Sequence, residues 1–259
     1  MECAKWLRDL PAEVTRFMKH MRSKTVPGYY RYSYSGDLYD ERTHWNLGAA
    51  VFALKIHYTL GTPFDAHLGQ ICKYLLSFQN SRGFLYDPFV YRRSFFPNWR
   101  SALKIRRRLF FGNKEYIGAE TRQSLCALHL YEVRPPRMLR YPLPQNRRQI
   151  EQYLSRLAWN YPWSAGSHFS HLMFFYREAL RGELIPREKY EQLTDHAVAW
   201  VNRLQHEGDG CWYKGNVDTR NKLHGAMKVI TGLLAIINPQ SLGWQQDKLF
   251  CDLSYLSIR

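Results

Sequence analysis

Apolar residues recur along this chain with the spacing of helices, and polar turn residues break them into pairs. Residues 195–237 show the pattern most completely. HAVAWVNRL, 196–204, reads as a helix that stops at Gln205, where Gly208, Asp209 and Gly210 break the period. A second helix is expected over 221–237. At about 100° per residue, Leu223, Ala226, Met227, Ile230, Leu233, Leu234 and Ile237 share one side, and Asn221, His224, Lys228 and Thr231 form a polar stripe opposite. The same reading predicts helices over 4–21, 43–60, 63–79, 118–132, 149–159 and 166–180. Tyrosine-rich 24–39 reads as a turn-rich connection and RPPRMLRYPLPQNRR, 134–148, as an extended, exposed linker. Residues 239–259 begin a fifth hairpin or cap the end.

Two of the turns share wording. LSFQNSRGFLYDP (76–88) and RLQHEGDGCWYKG (203–215) each place a Gln at a helix end, then a Gly and an aromatic residue. Gln79 and Gln205 can hydrogen-bond orphan backbone groups there, while Phe84 and Trp212 cover the turn apolarly. The 24–39 connection repeats the Gly and aromatic part; the turn at 159–165 has Trp159 where the Gln would stand. These turns resemble the Gln and Trp repeats of the terpenoid cyclase and protein prenyltransferase superfamily. The resemblance implies an all-α fold, an α/α toroid of about four helical hairpins in a complete or open ring, formed as one domain over 1–259. It does not extend to the catalytic motifs. The nearest approach to an Asp-rich DxDD motif, Asp37, Asp40 and Glu41, has a different spacing, and no Asp, Cys and His zinc set can be placed.

Composition narrows the partners. A chain with 45% hydrophobic and 15% aromatic residues can bury a core and is not disordered. The 37 Lys and Arg against 22 Asp and Glu give a formal charge of +15, which favours an anionic partner. The basic insertion at 87–116 interleaves Arg106, Arg107 and Arg108 with Leu103, Ile105, Leu109, Phe110 and Phe111. Such a mixture suits an anionic membrane surface or a diphosphate better than nucleic acid, for which no binding signature is present. A solvated basic loop explains it equally well. Five scattered cysteines without a CxxC pair, no leader-like apolar core and no run long enough to span a bilayer point to a cytoplasmic protein, or one peripheral on the inner membrane face.

Inner helices of a toroid direct their N-terminal ends at a shared cavity, and those ends favour negative groups. Aligned by their apolar cores, the inner helices put His44 and Gly48, Glu120 and Ser124, Ser167 and His171, and Asn221 and Gly225 in corresponding places, with Asp40, Glu41, His168 and His224 within a turn. Asp40, His44, Glu120, His168, His171 and His224 are therefore the candidate acid–base groups, and Asn221, Lys228, Arg106, Arg107 and Arg108 the candidate substrate contacts. Capping is the competing role for Asp40, Glu120 and Asn221. His168 and His171 share a helix face without an HExxH acid, so no metal site is assigned, and no motif calls for a cofactor. Three readings stay open: a prenyltransferase- or cyclase-like enzyme on an anionic isoprenoid or lipid-linked substrate, a uronate polysaccharide lyase or epimerase, and a non-catalytic membrane- or protein-binding scaffold.

Overall fold

A computed structural model describes residues 5–88 and 116–236. Most of the basic insertion, with Arg106, Arg107 and Arg108, lies outside these residues, as does the terminal segment 239–259. All the regular elements among the described residues are helices: α1 (Lys5–Met21), α2 (Leu47–Thr59), α3 (Ala66–Leu76), α4 (116–129), α5 (Arg147–Ser155), α6 (Pro162–Arg181), α7 (Arg187–Asn202) and α8 (Thr219–Ile236). None is long and apolar enough to cross a membrane. The chain divides into two compact units, Met1–Arg140 and Tyr141–Arg259.

Each helix buries the face its spacing dictates. α3 buries Leu68, Ile71, Cys72 and Leu75, and α7 buries Tyr190, Leu193, Thr194, Ala197 and Val201, both i, i+3, i+4 patterns of an outer helix with one wet side. α7 starts nine residues before the expected 196, because an outer helix needs an apolar residue only every three or four positions and REKYEQLTD supplies Tyr190 and Leu193. α6 is buried nearly all round and begins at Pro162, whose missing N–H costs nothing at a first helical position. Asp65 and Asn146 cap α3 and α5 by accepting from the N–H groups of Leu68 (2.8 Å) and Gln149 (3.0 Å).

In the second unit α5 packs on α7 and α6 on α8, with α6 also meeting α7. Alternate helices in the chain are thus layer neighbours, as stacked hairpins require. One core, including Leu154, Trp159, Phe169, Met173, Leu193, Trp212 and Val229, draws on all four helices. α6 and α8 approach closely at glycines. A Cβ on Gly225 would lie 2.5 Å from the Pro162 Cβ, and one on Gly166 would lie 2.9 Å from the Gly225 carbonyl oxygen. The buried line of α8 is therefore Gly225, Val229 and Gly232. Leu223 and Met227, expected on the core side, are 52% and 53% exposed, because the small residues rather than the bulky stripe face α6. In the first unit α2 packs on α3. α2 also meets α4, through a Lys55 Nζ bond to Gln123 Oε1 and a Tyr131 hydroxyl bond to the Leu54 carbonyl (3.0 Å).

Three of the corners between successive helices have one construction. An antiparallel bridge pairs Arg22 with Tyr30, Gln79 with Leu85 and Gln205 with Trp212. Two residues before each partner stands a glycine of positive φ: Gly28 (79°), Gly83 (85°) and Gly210 (66°). The residue after each anchor donates its N–H across the corner, Ser23 to Tyr29 (3.0 Å), Asn80 to Phe84 (2.9 Å) and His206 to Cys211 (2.9 Å). The residue equivalent to Trp212 is consequently Leu85, and not Phe84. Both glutamines bond within the corner rather than to the helix end. Gln79 Nε2 donates to Gly83 O (3.2 Å) and Gln205 Nε2 to Gly210 O (3.0 Å). Gln79 also pairs with Arg137 through both N–H and C=O (3.1 and 2.8 Å), which holds part of the 134–148 linker against the corner. At the fourth corner Trp159 is buried instead, its indole N–H donating to Leu154 O (2.9 Å).

Gln79→Ala leaves one buried and two part-buried backbone groups without their partner and is expected to cost about 2–3 kcal/mol in urea unfolding, against about 0.5–1.5 kcal/mol for exposed Gln205→Ala. Gly225→Val overpacks the α6–α8 contact and is expected to cost about 1–3 kcal/mol. The control Gly208→Ala, whose Cβ would meet nothing within 4 Å, should stay within about 0.5 kcal/mol of wild type.

Candidate functional site

The segment leaving the Gln79 corner runs past the start of α2 and the second turn of α4. Thr121 Oγ1 both accepts from Leu85 N–H and donates to Leu85 O (3.1 Å each), which fixes this segment on α4. Asp87, two residues on, is 3% exposed. Its Oδ2 accepts the N–H of Asn46 (2.5 Å), the residue capping α2 in a left-handed conformation (φ 66°). Its own N–H donates to Glu120 Oε2 on α4 (3.0 Å). Asn46 Nδ2 in turn donates to Tyr30 O (2.9 Å), so the first corner is tied to the same place. Two acidic residues are thereby brought together between the start of α2 and the second turn of α4. Burial, and then the charge of Asp87, push the Glu120 carboxyl up to about 7, although the Asp87 N–H bond opposes the shift. A carboxyl that holds its proton near neutral pH can give and take protons there.

The other expected residues of this unit lie elsewhere. α2 begins at Leu47, not 43, so Asp40 and His44 precede it. Asp40 is exposed and accepts the N–H of Arg42 in its own turn (2.8 Å). His44 stacks on Phe78 at 4.0 Å and bonds Ser77 Oγ through Nε2 (2.8 Å), at the end of outer helix α3.

In the second unit, helical periodicity sets Trp163, Ser167, His171 and Phe174 on one flank of α6, and Asn221, His224, Lys228 and Thr231 on the facing flank of α8. The Lys228 Nζ lies 5.8 Å from the centre of the Trp163 ring. This flank is turned away from the core shared with α5 and α7. His171, His224 and Lys228 are half-buried on it, whereas His168 sits farther round α6, its ring 6.4 Å from that of His171. Asn221 is not the cap of α8. Asp218 takes that role, accepting Asn221 N–H (3.0 Å) and Nδ2 (2.6 Å). The aligned positions are thus divided, His44 and Glu120 lying in the first unit and Ser167, His171 and Asn221 in the second. Asp209 is engaged by Lys222 (2.9 Å) and the Tyr213 hydroxyl (3.0 Å), which clasps the last corner to α8.

Sequence reasoning passed over Asp87, Tyr30, His57 and His67. The Tyr30 hydroxyl contacts His57 Nε2 at 3.1 Å and His67 Nε2 at 2.8 Å. A phenol has one proton, so it donates to one imidazole and accepts from the other. His67 Nδ1 is buried with no hydrogen-bond partner, which places the His67 proton on Nε2. The order that satisfies every polar atom of the cluster except His67 Nδ1 runs from His67 to Tyr30, from Tyr30 to His57, and from His57 Nδ1–H to Thr62 Oγ1 (3.3 Å). Two clefts, about 450 Å³ beside Pro11, Thr15, Lys19 and Leu60 and about 300 Å³ beside Tyr141, Pro144, Tyr153 and Leu172, hold none of the expected site residues.

These groups give opposite pH dependences. Burial lowers His57 and His67 below the ordinary 6.5, so their contribution is complete above that pH and is lost as pH falls through the folded values. Glu120 rises from 4.5 to about 7, so its contribution is complete below 4.5 and is lost as pH rises through 7. Glu120→Gln should therefore gain on the order of 1–2 kcal/mol over wild type between about pH 4 and pH 8 in urea melts, and His57→Gln with His67→Gln should flatten the acid limb.

No family model, no curated protein and no solved structure matches the chain.

Proposed function

We propose that this chain is an acid–base enzyme of the α/α-toroid kind acting on an anionic isoprenoid or lipid-linked substrate, with Glu120 as the group that moves the proton. The observation that carries the reading is the bond of the buried Glu120 carboxyl, in the second turn of α4, to the N–H of buried Asp87 beside the start of α2. Burial and a like charge hold one proton on Glu120 near neutral pH, and the Asp87 N–H orients its carboxyl.

The repeated corners, and the packing of outer helix on outer and inner on inner within the second unit, support a toroid. In that arrangement the flank bearing Trp163, His171, Asn221, His224 and Lys228 faces the cavity. Phe52 on α2 is 65% exposed one turn from Lys55, and Trp163 is 42% exposed beside Lys228. Apolar surface next to a cation suits a chain of isoprene units with an anionic head. Within the second unit Lys228 offers a cation for such a head, and His171 and His224 on the same flank are imidazoles that can take up or release a proton.

Incubation with prenyl diphosphates of several lengths, with products separated by mass, tests this reading. Glu120→Gln is expected to lower kcat by about 10²–10⁴-fold and to remove the pH limb near 7, and His224→Ala to lower it less. Absence of both turnover and binding with every such substrate overturns it, as does release of unsaturated uronates from a polyuronate.

A further inference from the structure

We propose that α1 is a docking element for an anionic lipid surface, inserting one stripe of its side chains into the headgroup layer. α1 has two apolar faces. Val14, Met18 and Met21 turn inward, the last two at 4% and 7% exposure. Trp6, Leu10 and Phe17 fall within about 40° of one another on the helix and are 64%, 45% and 46% exposed. Tyr34, 64% exposed, continues the stripe by stacking on Phe17 at 6.4 Å. A helix keeps such side chains in water only at a cost in free energy, and Trp and Tyr are the residues whose amphipathic rings settle at a bilayer interface.

The rest of the helix surface is charged. Arg8, Arg16, Lys19 and Arg22 are exposed round the polar side, and of the two acids, Asp9 and Glu13, the latter is paired with Arg16 at 3.1 Å. A helix with Trp, Leu and Phe on one side and Arg and Lys on the other has the composition of interfacial helices. The overall charge of +15 decides between occupants. A second copy of this chain would bring an equal positive charge to the stripe and be repelled, whereas a phosphatidylserine-bearing surface attracts it. The inference does not rest on the catalytic reading, because vesicle binding is read without turnover.

Cosedimentation of the full chain with phosphatidylcholine vesicles, with and without phosphatidylserine, is the test. Wild type is expected to bind the phosphatidylserine vesicles and to weaken as salt rises. Trp6→Ser with Phe17→Ser should reduce partitioning by about ten-fold or more while the thermal melt stays within a few degrees of wild type, since both side chains are exposed. Failure of wild type to bind, or undiminished binding by the double variant, overturns the proposal. So does light scattering that finds a wild-type dimer made monomeric by the same substitutions, which would put a second copy on the stripe.

Discussion

Everything described in the first unit hangs on how an outer helix is handed to an inner one. At the Gln79 corner the chain must reverse within a few residues while leaving no buried N–H or C=O unpaired. A left-handed glycine makes the reversal, a two-residue bridge pairs the main chain, and a side-chain amide, which carries both donor and acceptor, satisfies what remains. Arg22 has no acceptor to offer, and at that corner the Ser23 hydroxyl accepts from Thr25 and Val26 N–H instead (3.0 and 2.8 Å). The construction is thus a set of main-chain bonds that several side chains can complete, which is why it recurs with Gln twice and Arg once.

From that corner follows the position of Asp87. Leu85 is pinned by the bridge to Gln79 and by Thr121, so the residue two beyond it has little freedom and arrives between the start of α2 and the second turn of α4. Opposed effects then act on Glu120. The bond from the Asp87 N–H favours the ionised carboxylate. Removal from water and a neighbouring carboxylate act against that charge, and they prevail, since the carboxyl ends near 7 rather than below 4.5. A residue placed merely to cap α4 would be ionised and stabilising at neutral pH; Glu120 is held where ionisation is costly.

Helices, their order and the corners were legible in the sequence because each depends on local spacing and on Gly, Pro and Gln. What sequence spacing could not convey was side-chain direction at contacts between elements. The stripe Leu223, Met227 looked like core because bulky residues outweigh glycines in an amphipathicity count, yet α6 approaches through Gly166 and Gly225, and only three-dimensional packing reveals that smaller is closer here. Asn221 looked like a cap because Asp218 lies three residues earlier in a turn whose end no periodicity marks. Asp87 was read as the start of an insertion, and nothing local distinguishes it from an ordinary loop acid. His57 and His67 sit on the last turn of one helix and the first of the next, ten residues apart, and only the α2–α3 packing together with the first corner brings Tyr30 between them.

The link between these two clusters is the backbone of Tyr30. Its hydroxyl is fixed by the two imidazoles, and its carbonyl accepts from Asn46, whose N–H holds Asp87. Protonating either imidazole adds a cation near Arg22, which already depresses both. An added proton on His57 also makes its Nε2 a donor, so the Tyr30 proton loses its acceptor. The Tyr30 oxygen can then accept from both imidazoles while its own proton turns elsewhere, whereas a proton added to His67 goes to Nδ1 and leaves its Nε2–H bond to Tyr30 in place. Tyr30 thus ties the imidazole pair to Asn46 and, through Asn46, to Asp87.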